Sequence, residues 1–386
     1  MITTGVAGRS WRASVTEWGA VRPWDGSPDL DWSVAADDRW HVPSQESAVR
    51  QSRVDGTAVV ETRVRVPRGD AVQRVYTVAD AGGLTIVEVT NESTLPIAVA
   101  FTRSDVRTER PIADVPVAGI ALPAGSFVLP VGHHARARVA LAHDGSGPGP
   151  LPARLPTHEA VVRGWAANLA RASRLELPAG TALGALVADV AAQRCEVVLG
   201  SLSHSATDPE AFSVGLGELV RMGEPADPWL AELADAASSL ARRHDWRADV
   251  ALAATRRVLV GAGERRAARD LERITRGRPV SPSPPEPPDD VLAVPWLERR
   301  LALDGTLLPH GMPPEWFGAS LEVHGVPVGP ASAVSFAVRW HGERPAVLWE
   351  VTGEPVELTA PAIDPTWRTT AVSGEALWPA PHASFS

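Results

Sequence analysis

Lysine is absent from this chain. All 37 of its basic side chains, histidine aside, are arginine, so neither a lysine nucleophile nor a lysine Schiff base is available. Cysteine is nearly absent too. Cys195 stands alone among 386 residues, which excludes an intrachain disulfide and a cysteine-based zinc site. Its surroundings, AAQRCEVVL, read as a helix carrying a buried structural thiol. Arginine in place of lysine, 35 prolines and a single tyrosine point to a GC-rich coding genome, such as an actinobacterium's. Positive charge is not in excess. A formal charge of −9 and a pI near 5.7 argue against a nucleic-acid partner, because such binders are usually basic over the contact face. No apolar run approaches the roughly 18 residues that cross a bilayer, and the opening MITTGVAGRSWRASVTEW has no apolar signal segment. The expectation is a cytoplasmic protein with no membrane partner. Phosphate-binding glycine loops and the G-x-S-x-G elbow are also missing, and no cofactor is expected.

What is present falls into three parts. Residues 1–145 alternate with a period of two. In GTAVVETRVRVP, Val60, Thr62, Val64 and Val66 oppose Val59, Glu61, Arg63 and Arg65. GLTIVEVTNESTLPIAVAF, GIALPAG, GSFVLPVG and ARARVALA follow as further short strands between turn signals, the pattern of an antiparallel β-sandwich. Trp11, Trp18, Trp24, Trp32 and Trp40 read first as core anchors and second as an aromatic platform. After a Gly/Pro-rich linker the period becomes 3.6. Residues 157–277 hold about six helices in antiparallel hairpins, with Thr157, Asp208 and Asp227 as N-caps and Gly223 closing the third helix. A proline-rich linker, residues 278–290, leads to a C-terminal antiparallel β domain over 291–386.

The densest set of ligand-capable groups lies between Asp304 and Thr352. Val334, Phe336, Val338 and Trp340 alternate with Ser335, Ala337, Arg339 and His341, HGERP turns the chain, and AVLWEV returns as the partner strand. Glu322 and Glu350 each stand in an apolar stretch, where partial burial raises a carboxyl pKa as a general acid requires. The competing reading is a salt bridge to Arg339 or Arg344 on a neighbouring strand. Trp316, His324, Arg339, Trp340 and His341 are the candidate substrate contacts. His133 and His134 are adjacent and so diverge in a strand; His310, His324 and His341 have no compelling ligand spacing, and no metal is expected.

The order of sandwich, hairpin helices and second β domain resembles the six-hairpin glycosidases with an (α/α)6 toroid, the glucoamylase-, trehalase- and phosphorylase-like enzymes. GLTIVEVTNESTLPIAVAF is similar to the strands before their toroid, and VSFAVRWHGERPAVLWEV to a strand pair of their relatives. The resemblance implies a carbohydrate-related protein and, if it is an enzyme, a glycoside hydrolase acting on an oligosaccharide through paired carboxylates, with Glu322 and Glu350 the nearest candidates. A toroid needs twelve helices where about six are read here, so no catalytic residue carries over from the family. The alternative is a non-catalytic glycan-binding protein or assembly scaffold, and a homodimer that completes the toroid is a third expectation.

Overall fold

A computed structural model describes residues 1–112, 117–200, 207–278 and 281–381. It is a mixed α and β structure built largely of antiparallel sheets, and it divides into two compact units, Met1–Ala166 and Ala167–Ser386.

In the first unit, the strands Val60–Val66, Gly69–Val78, Leu84–Asn91 and Arg136–Ala142 run side by side in a seven-stranded sheet. A four-stranded sheet centres on Trp32–Ala35 and Ile97–Phe101, and a three-stranded one opens with Ile2–Gly5. The sheets share one apolar core. Val60, Val64, Val87 and Val89 of the large sheet meet Trp32, Val34, Val99 and Phe101 of the smaller one. The alternation in VETRVRV is therefore the alternation of core and solvent. Leu84–Asn91 departs from it, because nearly every residue there is buried. Its second face, Leu84 and Ile86, packs with Tyr76 and with Val162 of helix α1 (His158–Ala172). GIALPAG does not form the strand expected of it; residues 119–125 lie in bends and turns. Pro123 instead accepts from Ser126 N at 3.2 Å and closes a turn.

The described residues of the second unit contain six further helices: α2 (Ala182–Gly200), α3 (Pro209–Arg221), α4 (Leu230–Leu240), α5 (Trp246–Gly261), α6 (Arg265–Thr275) and α7 (Ala293–Leu301). Asp208 caps α3 as expected, accepting from Ala211 N at 2.9 Å. Asp227 does not cap α4. It begins a 3-10 turn through Trp229, and no side chain caps the helix behind it. The glycines of VGLGELV permit close packing: a Cβ on Gly217 would meet Ala254 Cβ of α5 at 3.1 Å. Helix α7 lies where only strands are expected, and the helices and C-terminal strands fall in one unit. Arg174–Glu176, just after α1, pairs with Leu321–Pro327 at the edge of a five-stranded sheet.

That sheet continues through Ser332–His341, Arg344–Gly353 and Ser373–Leu377. Its inner face buries Val323, Val334, Phe336, Val338 and Val347. Trp349, Trp367 and Trp378 stack edge to face there, with centroids 5.4 and 5.5 Å apart. Between Val323 and Val326 the ladder slips by a bulge. Gly325 occupies it at φ +70°, and a Cβ there would meet the Ala172 carbonyl at 3.3 Å. The bulge brings Gly325 against Ala172 at the end of α1.

Candidate functional site: an arginine-lined cleft

Glu322 faces Ala337, which faces Leu348, so they form one row on the outer side of the sheet. Glu350 faces Ser335, one row to one side, while Arg339 lies one row to the other. Two strand spacings and a two-residue offset put the Cα atoms of Glu322 and Glu350 roughly 12 Å apart. Arg339 forms an ion pair with Glu322, drawing it away from Glu350, and His324 Nε2 sits 3.3 Å from the same carboxyl. The Arg339 hydrogen bond, seconded by His324, holds the Glu322 carboxyl below the usual range, the direction opposite to that of a general acid. Arg344 donates to the carbonyls of Trp378 and Leu377 at 3.1 and 3.0 Å. The outer face thus gathers Glu322, His324, Arg339, His341 and Glu350, but not as two apposed carboxyls. The tryptophans lie elsewhere. Trp316 is 1% exposed and belongs to the core, and Trp340, half-buried, donates to the Ala319 carbonyl at 2.8 Å. His133 and His134 occupy a turn, with His134 at φ +53°, and no metal-binding group of three occurs among the described residues.

A different concentration of charge lies among the helices. Arg194 of α2, Glu218 and Arg221 of α3, and Glu298 of α7 form a closed, buried network. Glu218 and Arg221 share a helical face because they are three residues apart. Glu298 Oε1 accepts from Arg194 at 3.1 Å, from Arg221 at 2.9 Å and from Ser173 Oγ at 2.6 Å. Arg221 also donates to the carbonyls of Ala172 and Gly325, at 2.6 and 3.2 Å. Burial by itself would raise the Glu218 carboxyl, but Arg221 and Arg194 overcome it and hold the group down to about 2. Two carboxylates and two guanidiniums neutralise one another here, and the lone pairs of both acids are engaged.

Arg257 of α5 is the cation left over. It is densely surrounded, and it has no ion pair or hydrogen bond among the described residues. Desolvation, then repulsion from Arg221, pushes its pKa down to about 10. Arg257 lines a cavity of about 270 Å³ together with Arg256, Arg278, Arg299, Asp249 and Asp304. Arg256 pairs with Glu272 at 2.9 Å and Arg278 with Asp249 at 3.5 Å. Arg299 has no bonded partner among the described residues, and burial lowers its pKa as well. The Nε atoms of all four arginines are buried without a protein acceptor. Unsatisfied buried donors are uncommon and call for an explanation. Arg257 and Arg299, neither neutralised by contact, leave a concentration of positive charge at this cavity.

A second cavity of about 320 Å³ adjoins the first and shares Arg257, Pro327, Gly329 and Pro330 with it. None of these residues belongs to the hairpin set expected from the sequence. The signal available was the arginine pair Arg256–Arg257 inside an otherwise apolar helix, ALAATRRVLV. A long cation on a helix of that kind either escapes to solvent or meets a partner. Compared with known proteins, the chain matches no family model, no curated protein and no solved structure.

Proposed function

We propose that this protein binds a small anionic ligand in the arginine-lined cleft of its second unit. The observation that carries the reading is Arg257, a charged side chain enclosed at the wall of two adjoining cavities while the nearest acids are consumed by Arg194 and Arg221. A cavity of this volume suits a metabolite rather than a polymer, since ligand sites of about 300–1,000 Å³ enclose whole drug-sized molecules. A carbohydrate fits this reading in acidic form, as a sugar acid or a sugar phosphate. The glycoside-hydrolase reading rests on Glu322 and Glu350 and gains no support from their separation or from the direction of the Glu322 shift. The test is a thermal-shift screen at constant ionic strength, with phosphate, sulfate, citrate and acetate set against neutral mono- and oligosaccharides, and sugar release assayed in parallel. Stabilisation by anions that disappears in Arg257→Met supports the proposal. Stabilisation by neutral sugars alone, retained in that variant, refutes it.

A further inference from the structure

Resting on that anion-site reading, we infer that the ligand is a phosphate monoester, with its phosphoryl group at Arg257 and Arg299 and its organic group in the adjoining cavity. Charge selects the class first. Two guanidiniums in the first cavity, Arg257 and Arg299, lack a bonded counter-charge, and the lining acid left without a bonded partner among the described residues, Asp304, is exposed at the rim where water screens it. A carboxylate, a sulfate ester or a phosphodiester brings one negative charge, whereas a phosphate monoester brings about −1.5 to −2 at neutral pH. Acceptor number selects it again. Arg257 and Arg299 line the same cavity with no bonded protein acceptor, and a monoester offers three strong acceptor oxygens at a single centre for two such guanidiniums to share. Arginine's planar fork suits such a group better than a point cation would.

The second cavity gives the organic group its place. Val220, Val258, Ala331 and Ala333 line it, so much of its wall is apolar. It meets the first cavity at Arg257 and at the loop bearing Pro327, Gly329 and Pro330. A ligand anchored at Arg257 can therefore extend under this loop. Two prolines with fixed φ hold the loop in advance of binding, which lowers the ordering cost of closing around a ligand. The site then rewards a molecule that carries both parts, a dianionic head and a compact apolar or weakly polar body.

The test is isothermal titration of the whole chain at pH 7.5 and fixed ionic strength with inorganic phosphate, phenyl phosphate, phenyl sulfate and succinate. Phenyl phosphate is expected to bind at least tenfold more tightly than each of the others. Arg257→Gln and Arg299→Gln, each checked for an intact cooperative melt, should each weaken phosphate and phenyl phosphate together by tenfold or more. Ala331→Leu, which fills the second cavity, should keep phosphate affinity within twofold and remove the advantage of the phenyl group. Phenyl sulfate or succinate binding as well as phenyl phosphate, or an undiminished phenyl advantage in Ala331→Leu, would overturn the monoester assignment and leave the anion site standing. No binding by any of the four anions would overturn both.

Discussion

Replacing Arg257 by methionine should make the ligand-free protein more stable while removing its anion site. Methionine keeps an unbranched apolar stem in the space the arginine stem fills, so packing changes little. What it removes is a charge that the folded state holds at a disadvantage. Arg257 is shifted from the ordinary arginine value down to about 10, by desolvation first and by Arg221 second. At one pKa unit per 1.36 kcal/mol, the charged form is disfavoured by about 3 kcal/mol. That is a ceiling, because the side chain keeps some accessible surface, and solvent screening reduces the measured gain to about 1–2 kcal/mol. For a unit of this size it corresponds to a melting temperature higher by about 3–6 °C. The sign follows from the direction of the shift. A base with a lowered folded pKa destabilises the fold fully below that pKa, and the penalty is relieved only as pH rises from about 10 toward the ordinary arginine value. The gain should accordingly be flat from pH 6 to 9. The assay is calorimetric melting of both proteins in a buffer low in multivalent anions, repeated with phosphate. At a hundredfold excess over its Kd, phosphate should stabilise the native protein by about 2.7 kcal/mol and leave the variant unmoved. A variant melting several degrees lower than the native protein without ligand would refute the reasoning, since it would mean that Arg257 is satisfied within the fold.

Three further expectations concern charge and stability. Glu298→Gln leaves Arg194 and Arg221 sharing one carboxylate in a buried setting, and urea unfolding should report a loss of about 3–5 kcal/mol. The Glu218 carboxyl, held down to about 2 by Arg221 and Arg194 against the effect of burial, contributes stability that is complete above the ordinary carboxylate value. This contribution is lost as pH falls through about 2, so acid titration of stability should be shallower below pH 4.5 in Glu218→Gln than in the native protein. Tyr76 is the chain's one tyrosine, which makes its ionisation readable by absorbance. Burial, assisted by the charge of Glu88, raises it to about 12. The phenolate band should appear near pH 12 and be displaced to the ordinary value of about 10 in denaturant, with stability falling as pH rises between the two.

The strands and most helices were legible because their periods are set by which side meets the core. VETRVRV alternates since one face packs on the smaller sheet, and α3 begins at Asp208-Pro209 because both residues suit that position chemically. Helix α7 escaped notice because AVPWLERRL is nine residues long, follows a proline-rich stretch and carries a proline of its own. With it went Glu298, the acid that joins two arginines. The cleft itself was illegible for a deeper reason. Arg194, Arg221, Arg257 and Glu298 are far apart in sequence, and whether a cation is neutralised depends on how many acids converge on the same volume. Local pattern does not record that number. The hairpin drew attention because its charged residues are neighbours in sequence, yet adjacency across strands is what lets Glu322 and Arg339 satisfy one another.

The bonds of Arg221 have a consequence for the order in which the second unit comes apart. One guanidinium ties α3 to the last residue of α1, to α7 and to the bulge carbonyl of Gly325. No one of these segments can open without stranding the charges of the others in an apolar interior. Fraying is thus suppressed at a junction of three helices and a sheet, and amide exchange there should proceed only with global unfolding. Helix α6, which buries only Ala268 and Leu271, stands outside the knot and is free to exchange by local opening.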